Sequence, residues 1–143
     1  MAQSTSDGGP SVYSATTPAF IPLPVAASTL IYGIRPVAVN ASGYGVPVTA
    51  ASGLRFVGFS QARADNSNGL AGAINVNYSP ANGPDAQLYY FGCTGATQAW
   101  VGQVVYFVDD QTVALSASNS VICGVVIEFL SATQVLVNTA QRA

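Results

Sequence analysis

Short runs of strand-forming residues, each closed by glycine, proline, asparagine or aspartate, recur about every ten residues from Leu30 to the C-terminus. No segment repeats apolar residues at the three-and-four spacing of an amphipathic helix over a useful length. Eighteen valines stand against eight leucines, a balance that favours strands. With 143 residues there is room for one domain, or one domain and an arm. The pattern predicts an all-β chain, a small β-sandwich or barrel-like domain over residues 25–143, preceded by an extended proline-rich arm over residues 1–24.

Individual runs carry more detail. Residues 30–39 read as a strand that Pro36 confines to a sheet edge. Gly43, Tyr44 and Gly45 make a turn, with strands over 46–49 and 54–60. Asp65 to Gly69 is a second turn, whose side chains can bond their own backbone. Residues 73–78 alternate, with Ile74, Val76 and Tyr78 on one side. A loop at 79–85 leads to a strand over 87–92, and residues 96–102 can form one helical turn that places Trp100. Strands at 104–108 and 112–116 flank Asp109 and Asp110, and another turn falls at 118–120. The longest run, residues 121–130, has Val121, Cys123, Val125, Ile127 and Phe129 on one face and Ile122, Gly124, Val126, Glu128 and Leu130, mostly apolar, on the other. Apolar on both faces, it predicts a strand buried in a sandwich, a barrel or a subunit interface. Residues 134–138 close the set.

Charge excludes more than it suggests. Only 7% of residues are Asp, Glu, Lys or Arg; there is no His, and the four cations are Arg35, Arg55, Arg63 and Arg142. General acid–base and Schiff-base chemistry lose their usual carriers, so no catalytic residue and no enzyme activity are expected. Adjacent Asp109 and Asp110 would face opposite ways on a strand and read as a strand-ending turn. No metal site, cofactor loop or basic nucleic-acid footprint is expected. Neither a signal peptide nor a membrane span is expected. Cys93 and Cys123, each in apolar sequence, are expected to be buried, reduced thiols. A surface so poor in charge resists self-association weakly and suits a chain packed against neighbours. In the arm, Phe20, Ile21 and Leu23 among prolines would serve as stiffened anchors, or as an ordinary edge strand after a tail. Trp100 and the tyrosines could line a sugar-binding face, or pack the core.

Four stretches carry a family resemblance: GYGVPVTAASGLRFVGFSQ (residues 43–61), ADNSNGLAGAINVNY (64–78), WVGQVVYFVDDQTVAL (100–115) and NSVICGVVIEFLSATQVLVNT (119–139). Their order of turns and strands resembles the capsid decoration, or cement, proteins of tailed bacteriophages. The resemblance covers about the last two-thirds of the chain and leaves the first forty-odd residues unmatched. It implies a homotrimeric β-module on the outer surface of a phage head, assembled in the host cytoplasm. Such a module binds the major capsid protein, bridges its subunits and stabilises the shell, with no nucleic-acid or membrane partner. Expected contacts are Phe20, Ile21 and Leu23 of the arm, for docking, and Val125, Ile127 and Phe129 of the longest strand, for the trimer. The other class open to the sequence is a carbohydrate-binding or fibre-type β-module of a phage tail or cell surface.

Overall fold

The computed structural model describes residues 20–81, 88–116 and 121–141. Most of the expected arm (residues 1–19), most of the 79–85 loop and the 118–120 turn lie outside the described residues. The chain is nearly all β. Its strands are β1 (Ile21–Pro24), β2 (Thr29–Ile31), β3 (Pro36–Val39), β4 (Gly45–Pro47), β5 (Arg55–Ser60), β6 (Ala64–Asn66), β7 (Asn75–Pro80), β8 (Leu88–Gly92), β9 (Val104–Phe107), β10 (Val113–Ala114), β11 (Ile122–Ser131) and β12 (Gln134–Asn138). One 3-10 turn, Gln98–Trp100, sits where a helical turn is expected and buries Trp100.

The strands form two five-stranded antiparallel sheets, ordered β1-β7-β5-β3-β4 and β10-β9-β11-β12-β8, and a ribbon of β2 and β6. The main core lies between the sheets. Phe56 and Phe59 of the first meet Phe91 and Phe107 of the second. Phe56 and Phe107 meet edge to face with ring centroids 4.9 Å apart, and Phe91 and Phe107 at 5.7 Å. Each such pair adds about 0.5–1.5 kcal/mol beyond its buried area. A second, smaller core of Val25, Ile31, Val37, Ala64 and Val76 lies on the other face of the first sheet, under the ribbon. Successive residues Val37 and Ala38 enter opposite cores, as the two-residue period of a strand requires.

The ribbon is held by a buried amide. Asn66 Nδ2 donates to the carbonyls of Ala26 (2.9 Å) and Leu70 (3.0 Å), with a longer contact to Val25. Its neighbour Asp65 accepts from the Ser67 hydroxyl and backbone N–H, which hold this exposed carboxyl below its ordinary value. The expected turn at 65–69 therefore begins inside a strand, because Asn66 satisfies backbone across the ribbon as well as locally.

Four expectations change in the structure. Residues 30–39 are two strands, β2 and β3, separated by Ile34 in the left-handed region (φ 56°). Pro36 is not at a sheet edge: β3 lies between β5 and β4, and Pro36 is tolerated as the strand's first residue, where no ladder amide is required. The domain begins before residue 25, since β1 pairs along its whole length with β7. There Ile21 and Leu23 turn inward while Pro22 and Pro24 face out. Finally, β11 does not keep one alternation. Register shifts between Ile122 and Gly124, and between Val126 and Glu128, move the inside-outside phase. Cys123 and Val126, of opposite parity, both enter the main core.

Candidate partner-binding surface

The ribbon covers the outer face of the first sheet, whereas among the described residues no element covers the outer face of the second. Register fixes which residues share that face. Tyr90 lies beside Leu136, which lies beside Glu128. Leu88 lies beside Asn138, Asn138 beside Val125, and Val125 beside Val104. Ile122 pairs with Tyr106. Glu128 is the one charged residue in β8, β9, β11 and β12 together. Tyr90 is 60% exposed, and Leu88, Ile127 and Leu130 are exposed with it.

Beside this face, the loop between β2 and β3 projects Tyr32 and Ile34. Ser60 pins that loop. Its hydroxyl donates to the Tyr32 carbonyl at 2.6 Å and accepts from the Arg35 N–H at 3.1 Å. The Ile34 N–H donates to the Ser60 carbonyl at 3.0 Å, and the Ser60 N–H to the Arg35 carbonyl at 2.9 Å. These bonds hold a β-branched residue at positive φ, an outlier conformation, with its side chain 72% exposed. Arg63 braces the tip, its guanidinium carbon 5.5 Å from the Tyr32 ring centroid.

Between loop and sheet lies a cleft of about 290 Å³. Ile34, Arg35 and Pro36 form one wall and Tyr89 to Gly92 the other, with Phe59, Asp110 and Gln111 completing it. Tyr89 stacks on Phe59 at 3.8 Å between centroids, and burial pushes its phenol above the ordinary value. Asp109 Oδ1 accepts the Gln111 N–H at 2.8 Å, which makes the two aspartates a turn and aims Asp110 and Gln111 at the cleft. Trp100 is in the core, so it lines no sugar-binding face.

The residues expected to bind partners do not form one patch. Phe20, Ile21 and Leu23 belong to one edge of the first sheet, and Val125, Ile127 and Phe129 to the middle of the second. Leu23 packs on the smaller core and Phe129 against the main one; Ile21 is half-buried beside Tyr78. Val125 is 3% exposed and shows no surface to a partner. Phe20 and Ile127 are exposed. Sequence reasoning did not single out Ile34 and Leu88 at all, and took Tyr32 and Tyr90 only with the other tyrosines as possible lining of a sugar-binding face. All four lay inside runs read as strands, and nothing in a run says whether its strand is central or marginal.

Cys93 and Cys123 are buried and not joined by a disulfide, and burial raises the Cys93 thiol. Among the described residues no three His, Cys, Asp or Glu side chains are grouped to hold a metal. Nor is any helix there long and apolar enough to cross a membrane. Comparison of the chain with protein-family models, curated proteins and solved structures finds no match.

Proposed function

We propose that the chain is a non-catalytic structural protein of a virion: a decoration protein that binds the outer surface of a phage capsid, bridges major capsid subunits and stabilises the shell. The observation that carries this reading is the outer face of the second sheet, largely apolar across four strands and interrupted by Asn138 and a single charge, Glu128. Buried apolar surface contributes about 25 cal/mol per Å², and a stable interface covers about 800 Å² per partner. The proposed homotrimer uses this face. β11 contributes through its exposed Ile127 and Leu130, and not through its backbone, because β9 and β12 already pair with both its sides.

The test is co-sedimentation with purified, undecorated capsids. Binding is expected, with little change as sodium chloride rises from about 0.1 to 1 M, which shortens the Debye length from about 10 to 3 Å. Absence of binding at either salt would sink the reading; release at high salt would transfer docking to the few Arg and Asp side chains. To test the arm, the truncation should remove residues 1–19 and leave β1, because deletion through residue 24 also strips an edge strand from the fold.

A second reading is favoured by the cleft, where exposed Tyr90 stands near Arg35, Asp110 and Gln111. An aromatic face beside polar side chains suits a pyranose ring, as in a carbohydrate-binding or fibre-type module. Glycan-array binding lost on Tyr90→Ala, without capsid binding, would select it.

A further inference from the structure

The two sheets have four edges: β1, β4, β8 and β10. Three are blunted. β1 carries Pro22 and Pro24, β4 carries Pro47, and β10 is two residues long. Prolines and short strands are the ordinary protection of a sheet edge against pairing with other chains. β8, with the sequence LYYFG, has neither proline nor charge.

Its backbone direction follows from the bonds around it. The Cys93 N–H donates to the Thr133 carbonyl (3.1 Å), towards β12, whereas the Gly92 N–H donates to the Gln111 carbonyl (2.9 Å), away from it. In an antiparallel pair successive residues alternate in this way. The register runs unbroken from Gly92 opposite Gln134 to Leu88 opposite Asn138. Tyr89 and Phe91 therefore bond to β12, while Leu88, Tyr90 and Gly92 turn their amides and carbonyls outward. Gly92 is taken by the β9–β10 segment, in a parallel bridge to Thr112. That segment is a short instance, within the chain itself, of an extended backbone laid on this edge. Leu88 and Tyr90 are left with outward backbone groups, next to the cleft and the strained, exposed Ile34.

We propose that the β8 edge is a strand-addition site: it takes an extended segment of a partner protein, one apolar side chain of which enters the cleft between Ile34, Pro36 and Tyr89. Another extended backbone is the chemistry that satisfies alternate outward N–H and C=O groups, and the apolar walls supply a pocket for a side chain. A second copy of the chain fits less well. With Gly92 occupied, two β8 strands could pair only through Leu88 to Tyr90, and neither could fill the other's cleft from a strand locked in its own sheet. The inference concerns how a partner is read and does not depend on that partner being a capsid.

The test uses the full chain and an array of ten-residue peptides alternating apolar and polar residues. The best binder is expected to slow amide exchange at Leu88 and Tyr90 at least tenfold, with Tyr89 and Phe91 unchanged. Tyr90→Pro removes an outward amide together with the exposed ring, a change that an edge strand tolerates; it should keep its thermal midpoint and lose peptide affinity at least tenfold. Tyr90→Thr, which keeps the amide, should lose less. Should Tyr90→Pro fail to fold, the exchange pattern of the unmodified protein still decides. No peptide protecting those two amides, or equal binding by a folded Tyr90→Pro, overturns the proposal. So does a dimer in sedimentation that Tyr90→Pro dissolves, which would make the occupant a second copy. Capsid co-sedimentation separates the two readings. Shells bound equally by Tyr90→Pro, with no peptide captured at β8, overturn the edge site and leave the capsid reading standing. Peptides captured at the edge by a protein that ignores shells do the reverse.

Discussion

The first sheet has a core on each side, the aromatic one against its partner sheet and a valine-rich one beneath the β2–β6 ribbon. The second sheet draws on the same valine and aromatic stock but is sealed on one side. Its other side carries Leu88 and Tyr90 at the surface, with Val104, Tyr106, Ile122 and Leu136 half-buried. Edges differ in the same sense. Proline marks both edges of the first sheet, and none stands in the second. Apolar residues outside a core thus have two fates in one small molecule. Where a ribbon covers them they add stability, and where no described element covers them they remain for another molecule to bury.

The sharpest way to break this contrast is to put a carboxylate on each outer face. Val76→Asp places an unpaired charge in the smaller core, at a site 1% exposed, and is expected to cost more than about 4 kcal/mol and unfold the domain. Tyr90→Asp should shift the urea midpoint by no more than about 0.5 kcal/mol equivalent, while abolishing partner binding. Comparable destabilisation by the two would mean that the second sheet's outer face is sealed after all.

The ribbon is the element that makes the first sheet different, and Asn66 ties it down. Asn66→Ala leaves the Ala26 and Leu70 carbonyls without their side-chain donor and should cost about 1–3 kcal/mol. Hydrogen exchange would then quicken in β2 and β6, with β8 and β12 keeping their protection. A uniform increase through both sheets would show the ribbon to be part of one cooperative unit.

Ile34 tests the other side of the comparison. A β-branched residue at φ 56° is strained by about 1–2 kcal/mol, and glycine returns about 0.5–1 kcal/mol of that as lost chain entropy. Ile34→Gly should therefore raise stability by about 0.5–1 kcal/mol yet weaken partner binding. A gain in both would remove Ile34 from the binding surface.

The smallest effect is alkaline. Burial raises Cys93 from 9.0, and Tyr78 and Tyr89 from 10.0, so the folded chain keeps these protons where the unfolded chain has released them. Stability should be level below pH 9 and decline as pH climbs through those ordinary values towards the raised ones. Tyr78 lies in the first sheet and Tyr89 in the second, so Tyr78→Phe and Tyr89→Phe should each flatten part of the decline. A decline unchanged in both would assign it to other groups.

Period-two alternation and turn chemistry are local, and to that extent the sequence by itself determined the outcome: an all-β chain, the strand at Gln134–Asn138, the helical turn that buries Trp100, and the turn at Asp109 and Asp110. Each depends on a few neighbouring residues whose backbone and side-chain preferences agree. Strand order depends on pairings between segments far apart, and only the tertiary structure decided it. That order put Pro36 inside a sheet, made Ile21 to Pro24 an edge strand, and left β8 at an open margin. Register shifts in β11 arise from its fit to β9 and β12, so they overrode the alternation and brought Cys123 and Val126, of opposite parity, into one core. Whether an apolar face becomes core or surface is likewise a property of what lies above it. The ribbon lies above the first sheet and not the second, and no single strand's residues encode that difference.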